Sequence, residues 1–342
     1  MDLENLKTIV KEFGIERVQS VNLLEKGLIN KTFLIETDEN KYVLQKIHGI
    51  FPDSVTEDID VVTCFLRDSG VTTPLLIRKQ DDSVLTKQGT DSWRMATYIE
   101  GRTFDVIPGL EFANSAGHLV GTFHRVLSAL DYKFKHESQN WHRTEFYIQR
   151  LCRSLEDCQD KDILFIQNDI LESYQSLKIP LFSPRHIIHG DLKINNILFE
   201  TSGSKAICLI DLDTLRKGSI SLEMGDALRS WCNQGGEDSE YVNFDLDILR
   251  AAMESYIAEV GAIVEDQEFL AIPDTTAIIS LELSSRFLED AHTQSYFQLD
   301  SRHYDSLYEQ NLNKAIIQLK LFYDIKSKEE KAKHIIRDLI KD

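Results

Sequence analysis

Three side chains, Asp191, Asn196 and Asp211, stand at a spacing that would bring them together at one edge of a small sheet. Asp191 follows His189 in a polar loop, and Asn196 comes five residues after Asp191. Short apolar runs flank the loop, and a turn at 202–204 leads into another apolar run that ends in Asp211. Such runs, separated by Gly/Ser turns, are typical of short buried strands. A hairpin through that turn would place two carboxylates and an amide at one cleft.

These residue types suit the transfer of a phosphoryl group to a hydroxyl. A carboxylate such as Asp191 can orient the hydroxyl and accept its proton. Mg²⁺ prefers oxygen ligands and keeps several waters, so the amide of Asn196 and the carboxylate of Asp211 would suffice to hold it. The same side chains could instead cap the amides of a turn, a common role for Asp and Asn in loops. The fixed spacing and the strand context favour a chemical role over the capping of a turn.

The spacing resembles the catalytic loop of protein kinases, in which an Asp is followed by an Asn and then by a metal-binding Asp on the next hairpin. The details differ from protein kinases, because the chain contains neither Asp-Phe-Gly nor Ala-Pro-Glu. Gly190, the pair Asn195-Asn196 and the ending Asp211-Leu212-Asp213 resemble the aminoglycoside phosphotransferase–choline kinase superfamily instead. That resemblance implies a small-molecule kinase with ATP and Mg²⁺ as cofactors.

The composition is that of a globular protein with an acidic surface. The 342 residues are 42% hydrophobic and 27% charged, and the net charge is −18. This charge opposes binding to nucleic acids and anionic membranes, and no apolar run approaches membrane-spanning length. The start of the chain does not read as a signal peptide, and five scattered cysteines without a C-x-x-C pair are typical of reduced thiols. We expect a cytoplasmic protein whose partner is a small molecule.

The pattern of apolar residues changes near residue 100, which predicts two lobes. Residues 1–100 combine helical and strand-like patterns, and residues 101–342 are mainly helical in pattern. We predict an α+β fold of the bilobal, protein-kinase-like type, with a small antiparallel-sheet N-lobe, a larger helical C-lobe and the active site between them. The predicted C-lobe helices include 145–178, 245–260, 274–291 and a long helix from about 304.

The kinase resemblance also indicates where a nucleotide would bind in the N-lobe. Gly27 lies in the turn that would cover the phosphates, and Glu100 lies in the segment that would contact adenine. The phosphate-binding lysine of kinases aligns with Gln45, or with Lys46 after a shift of one residue. Because side chains alternate along a strand, only one of the two can face the cleft. Glu57 is the carboxylate best placed to pair with that residue, although the helix dipole alone also favours an acid there.

Several stretches outside the catalytic loop resemble the N-acetylhexosamine 1-kinase branch of the superfamily. The resemblance implies that the nucleophile is the anomeric hydroxyl of an N-acetylhexosamine, that Arg286 and Tyr296 hold the sugar, and that Asp226 shapes its pocket. Such residues can supply the donors, acceptors and aromatic surface that a neutral sugar needs, although each could also pack against its neighbours. The stretches include Gly27–Phe33, Tyr42–Ile47, Leu209–Thr214, Gly225–Arg229, Arg286–Asp290 and Tyr296-Phe297.

Two other functions fit the same residues. Gly190 is typical of the wider antibiotic and choline kinases, whereas the sugar branch often has asparagine there, so an aminoglycoside, choline or homoserine is an alternative acceptor. Gln45 in place of a lysine would also suit a catalytically weak regulator that binds nucleotides. The intact Asp191, Asn196 and Asp211 favour an active kinase.

Overall fold

The structure is a computed structural model, and it describes residues 3–24, 30–137, 140–180, 182–183 and 185–341. Its first part holds a five-stranded antiparallel sheet with the strand order β1-β2-β3-β5-β4. The strands are β1 (Ser20–Leu24), β2 (Lys31–Glu36), β3 (Lys41–Lys46), β4 (Thr86–Gln88) and β5 (Asp91–Thr97).

Side-chain alternation gives this sheet two different faces. Leu44, Trp93 and Met95 point to one face and are fully buried in a cluster with apolar side chains of helix α1 (Leu3–Glu12). Gln45 and Arg94 lie directly opposite each other on β3 and β5 and therefore share the other face. Since α1 covers the first face, the second face, called the inter-lobe face below, is turned toward the rest of the chain.

The larger part of the chain is mainly helical. Its central helix, α9 (Ile272–Thr293), is buried along most of its length and packs against five other helices. Helix α2 (Ser54–Asp68) packs on α3, and its buried apolar residues belong to the core of this part. The remaining helices are α3 (Leu110–Leu127), α4 (Thr144–Ser154), α5 (Lys161–Gln175), α6 (Ile220–Trp231), α7 (Leu246–Val260), α8 (Asp266–Leu270) and α10 (Leu307–Lys341). None of the described helices is both long and apolar enough to cross a membrane.

One predicted helix proves to be two. The run over 145–178 is broken between α4 and α5 because Asp160 caps α5, its Oδ1 accepting the N–H groups of Asp162 (2.9 Å) and Ile163 (3.2 Å). The helices predicted over 245–260, over 274–291 and from about 304 are confirmed as α7, α9 and α10.

Two short antiparallel ladders lie beside the helices of the larger part. One joins β6 (His186–Ile188) to β9 (Arg216–Gly218), and the other joins β7 (Ile197–Phe199) to β8 (Ala206–Leu209). With the five-stranded sheet and the helical part, they confirm the predicted α+β architecture of a small antiparallel sheet followed by a larger helical lobe.

The segment that connects the sheet to α3 is tied to β7. The backbone N–H of Arg102 donates to the carbonyl of Phe199, and the N–H of Phe199 donates to the carbonyl of Arg102, both at 2.9 Å. Gly101 packs against the same carbonyl, since a Cβ atom added there would lie 2.8 Å from Phe199 O. The connection between the lobes is therefore fixed to the hairpin that follows the catalytic loop.

We expect Gly101→Ala to lower the free energy of unfolding by about 1–3 kcal/mol, because the new methyl group forces the backbone of β7 to shift. Gly49→Ala is the matched control, since a Cβ atom there would meet nothing within 4 Å. We expect it to change stability by at most about 1 kcal/mol. Urea unfolding followed by circular dichroism measures both, and equal stabilities would contradict the close approach of residues 101 and 199.

Candidate active site

The predicted hairpin is confirmed and brings the predicted metal ligands to one end of a ladder. Ile197 pairs with Leu209 across the antiparallel strands β7 and β8. The N–H of Ile210 donates to the carbonyl of Asn196 at 2.9 Å, just before the strands begin. Asn196 therefore lies beside the residue that precedes Asp211.

Asp191 lies within the same group of side chains. The Nδ2 of Asn196 donates to the Asp191 carbonyl (2.8 Å) and carboxylate (3.3 Å), and the Lys193 ammonium lies 3.2 Å from the same carboxylate. The Asp191 side chain is 26% exposed, so a ligand can reach it. Since the nitrogen of the Asn196 amide is held by Asp191, its oxygen is the atom left to bind a cation.

A buried carboxylate on α6 holds the backbone of the catalytic loop. Glu223, with no exposed surface, accepts the N–H of His189 (2.8 Å) and the N–H of Gly190 (3.0 Å). Trp231 of the same helix donates its indole N–H to the carbonyl of Leu192 at 2.8 Å. The position of Asp191 is thus set by α6, and Glu223 was not predicted because no local sequence pattern links it to the loop.

The glycine at 190 has a local structural reason. Its φ is +83°, in the left-handed region, and a Cβ atom there would lie 2.5 Å from the carbonyl oxygen of Thr214. The hydroxyl of Thr214 in turn donates to the carbonyl of His189 at 2.8 Å. Any side chain at 190, asparagine included, would push this contact apart, so local packing favours glycine at this position.

Asp211 has an unusual backbone and an unusual charge environment. Its φ is +62°, a strained value for a residue with a side chain. The residue is accessible from the cleft, but protein surrounds its carboxyl on the remaining sides. This burial, with the charges of Asp213 and Asp191, raises the pKa of Asp211 to about 7. A cation bound beside Asn196 would offset that repulsion, so these residues fit a divalent metal.

Asp213 joins the two lobes through a buried network that was not predicted from the sequence. Both of its carboxylate oxygens accept from Arg94 of β5, at 2.6 and 2.7 Å, and one also accepts from Asn30 Nδ2 at 2.7 Å. Asn30 Oδ1 accepts the N–H of His48 at 2.8 Å, and Arg94 Nε donates to Gln45 at 2.9 Å. The available signal for Arg94 was its position between the apolar residues Trp93 and Met95.

The choice between Gln45 and Lys46 is decided by the packing of α1. Gln45 lies on the inter-lobe face with Arg94, while Lys46 lies on the opposite face and pairs with Asp91 at 2.5 Å. The alternative in which Lys46 faces the cleft is therefore wrong. Gln45 occupies that position, and its partner there is a cation from the neighbouring strand.

The other predicted nucleotide residues lie away from these contacts. Glu57 forms an ion pair with Lys135, in the loop after α3, so its predicted pairing with residue 45 or 46 is wrong. Glu100 is exposed, and its carboxylate lies 4.0 Å from the ammonium of Lys41. Gly27 lies outside the described residues.

The predicted substrate residues on α9 and in the loop after it come together. The Arg286 guanidinium stacks over the rings of Tyr147 (4.8 Å) and Tyr296 (5.9 Å) and lies 3.9 Å from the Glu282 carboxylate. Tyr147, on α4, was not predicted. Asp226 is buried, and its carboxylate accepts from Arg229 Nε at 3.1 Å. Both residues belong to α6, so this contact lies within one helix.

Two aromatic side chains connect the Arg286 cluster to the rest of the site. Trp141 donates its indole N–H to the carbonyl of Gly190 at 2.9 Å, and the next residue, His142, bonds to Glu282 at 3.0 Å. The Tyr296 loop begins under Asp290, whose carboxylate accepts the N–H groups of residues 295, 296 and 297 at 2.8–2.9 Å. Arg286, Tyr147 and Tyr296 thus form one cation–aromatic surface linked to the catalytic loop.

Comparison with known proteins identifies a family, curated relatives and solved structures that are similar to this chain. The profile of the phosphotransferase enzyme family matches residues 20–256, from β1 to within α7. The homoserine kinase of Methylobacillus flagellatus is 19% identical over 234 residues, which cover 68% of this chain and 70% of the relative. Two solved structures are similar in fold: amicoumacin kinase hAmiN in complex with AMP-PNP, Ca²⁺ and Ami, and choline kinase from Cryptosporidium parvum.

Both structures are 13% identical in sequence to this chain. For hAmiN the TM-score is 0.63, and the match covers 96% of this chain and 94% of hAmiN. For the choline kinase the TM-score is 0.65, and the match covers 100% of both chains. At such identities they confirm the predicted kinase-like fold. The sugar branch stays a prediction. Because the family profile covers well over half of the sequence and includes the Asp191, Asn196 and Asp211 hairpin, the chain belongs to the phosphotransferase enzyme family and is a small-molecule phosphotransferase.

Proposed function

We propose that this phosphotransferase moves the γ-phosphoryl group of ATP, with Mg²⁺, to a hydroxyl group of a small acceptor. The observation that carries the proposal is the hairpin that brings Asp191, Asn196 and Asp211 to one edge of the cleft. Family membership supports the reaction class, and the site offers a residue for each part of the reaction.

Asp191 would orient the acceptor hydroxyl and take up its proton. Its carboxylate is reachable from the cleft, and Glu223 holds the backbone before it. The neighbouring Asp191 charge raises the pKa of Lys193, so this ammonium stays protonated at neutral pH and partly offsets the carboxylate. A fixed carboxylate of this kind supplies positioning as well as proton transfer.

Asn196 and Asp211 would hold the metal ion. Within the described residues, no three His, Cys, Asp or Glu side chains converge to hold a metal unaided. The ion would therefore share its ligands with the nucleotide phosphates and water, as Mg²⁺ usually does. When bound, such an ion neutralises charge on the phosphate oxygens. The chain's own part is to keep the Asn196 oxygen and the Asp211 carboxylate turned to that position.

The acceptor that we propose is the anomeric hydroxyl of an N-acetylhexosamine or a closely related hexose. The surface formed by Arg286, Tyr147 and Tyr296 supports it, because a neutral sugar is bound by directed hydrogen bonds and by contact with flat aromatic groups. A second candidate, homoserine, is supported by the curated homoserine kinase that matches this chain. A cationic acceptor is less well supported, because Arg286 carries the same charge.

The first prediction concerns the base. Asp191→Asn keeps the shape of the side chain but removes the proton acceptor, so we expect kcat to fall by about 10²- to 10⁴-fold with little change in the KM for ATP. Steady-state ADP release measures both constants. Asp157→Asn, an exposed aspartate in the loop before α5, serves as the matched control. Turnover like that of the wild type in Asp191→Asn would remove this residue from the reaction.

The second prediction concerns the metal. Asp211→Asn and Asn196→Ala should each raise the Mg²⁺ concentration for half-maximal rate by about tenfold or more, as the loss of a charged or polar ligand worth about 1.5–3 kcal/mol requires. The control is Asp82→Asn, since Asp82 is also an aspartate at positive φ (+67°) but is 84% exposed. If Mg²⁺ titrations of both site variants match the control, the metal is held elsewhere.

The third prediction concerns the acceptor. Arg286→Ala should raise the KM for the sugar about tenfold or more and leave the KM for ATP unchanged, because a charged hydrogen bond to the acceptor is lost. Arg250→Ala, which removes an exposed arginine of α7, is the control.

The same assay should include N-acetylglucosamine, N-acetylgalactosamine, their methyl glycosides, homoserine, choline and kanamycin. A methyl group on the anomeric oxygen should abolish turnover and leave a competitive inhibitor. Phosphorylation of the methyl glycoside would show that another hydroxyl is attacked. A higher kcat/KM for homoserine than for every sugar would replace the first candidate by the second.

A further inference from the structure

The position that carries a lysine in kinases carries a neutral residue on the inter-lobe face. Gln45 occupies it, and Lys46 points away to the α1 face. ATP brings several negative charges into the cleft, and kinases offset part of this charge with a cation from the N-lobe sheet. If the chain binds ATP as proposed, that cation must come from a different residue.

Arg94 is the cation that lies closest to this position. It stands directly opposite Gln45 in the register of β3 and β5, and its Nε donates to Gln45 Oε1 at 2.9 Å. On the same face Lys41, at the N-terminal end of β3, is 46% exposed and Lys87 of β4 is 65% exposed. Of these three cations, it is Arg94 whose contacts reach the segment that carries Asp211.

We propose that Arg94 is the phosphate-binding cation of this enzyme and replaces the lysine that β3 lacks. The inference rests on the proposed function, because it assumes that the ligand of the cleft is a nucleoside triphosphate. Gln45 and Asp213 fix the guanidinium plane, and each Nη keeps one further N–H bond beyond those given to Asp213. We assign these remaining donors to the phosphates of the bound nucleotide.

The surroundings of Arg94 act on its attraction for a phosphate in two opposite ways. Its side chain is only 4% exposed, so a phosphate in contact with it lies in a poorly solvated place where electrostatic attraction is larger than at the surface, while the charge of Asp213 offsets part of that attraction. The partner residue Asp213 is two positions after Asp211, which sets the guanidinium beside the proposed metal ligands. Arginine also suits the task because its planar fork can bind a carboxylate and a phosphate at the same time.

A purely structural role for Arg94 predicts different behaviour. An ion pair that only joins the lobes would affect binding of every ligand of the cleft to the same degree. A phosphate contact affects only ligands that carry phosphates. Moving the positive charge back to β3 would restore phosphate binding in the second case and not in the first.

The test measures the dissociation constants of adenosine and of Mg-AMP-PNP by calorimetry for the full chain. We expect Arg94→Gln to weaken AMP-PNP binding by about 10- to 100-fold, as the loss of charged hydrogen bonds requires, and to leave adenosine binding within about twofold. The double variant Gln45→Lys/Arg94→Gln should recover at least tenfold of the AMP-PNP affinity. Lys46→Gln, on the opposite face, should bind AMP-PNP as the wild type does.

A further variant separates the loss of a phosphate contact from disruption of the fold. Arg94→Gln leaves the buried Asp213 without a cation, so Arg94→Gln/Asp213→Asn, which removes both charges, is measured beside it. It too should lose AMP-PNP affinity selectively. Equal weakening of adenosine and AMP-PNP binding, or no recovery in the double variant Gln45→Lys/Arg94→Gln, overturns the assignment of Arg94 and leaves the proposed function standing. Absence of AMP-PNP binding in the wild type overturns this assignment together with the proposed function.

Discussion

The buried ion pair between Arg94 and Asp213 is the interaction on which the geometry of the site depends. It connects a strand of the small sheet to the segment that follows the catalytic hairpin, and Asn30 adds a third contact from the start of β2. A buried pair contributes little net stability, because desolvation offsets the attraction, but either charge alone would be strongly unfavourable. The pair therefore joins the two lobes next to Asp211, whereas the loop that carries Asp191 is held by α6.

A second constraint acts on the backbone of the loop that carries Asp191. Glu223 accepts two consecutive backbone N–H groups of the catalytic loop and has no access to water. A short polar loop with a left-handed glycine has many alternative conformations, and a carboxylate that accepts two adjacent amides selects one of them. The loop is thus held by α6 on one side and by Thr214 on the other, and Asp191 needs no strand of its own to stay in place.

The sequence predicted what depends on neighbours along the chain and missed what depends on distant packing. The β7–β8 hairpin and the amphipathic helices have local signals, and both were found. Whether Gln45 or Lys46 faces the cleft depends on which face α1 covers, and the partner of Glu57 is a lysine in a loop beyond α3. Arg94 and Asp213 are 119 residues apart, so only the fold reveals their contact. An arginine between two buried apolar residues, as Arg94 is between Trp93 and Met95, indicates that such a partner exists.

The way in which Asp290 holds the loop after α9 bears on how acceptor preference could diverge in evolution. One buried carboxylate receives three successive backbone N–H groups and the side-chain amide of Asn311, so it recognises the main chain and is indifferent to the side chains at 295–297. If the loop contacts the acceptor as proposed, substitutions there would change the groups that face the acceptor while Asp290 still holds the backbone. The side chains of this loop could therefore change while its backbone stays in place. The hairpin that carries Asn196 and Asp211 would not be affected.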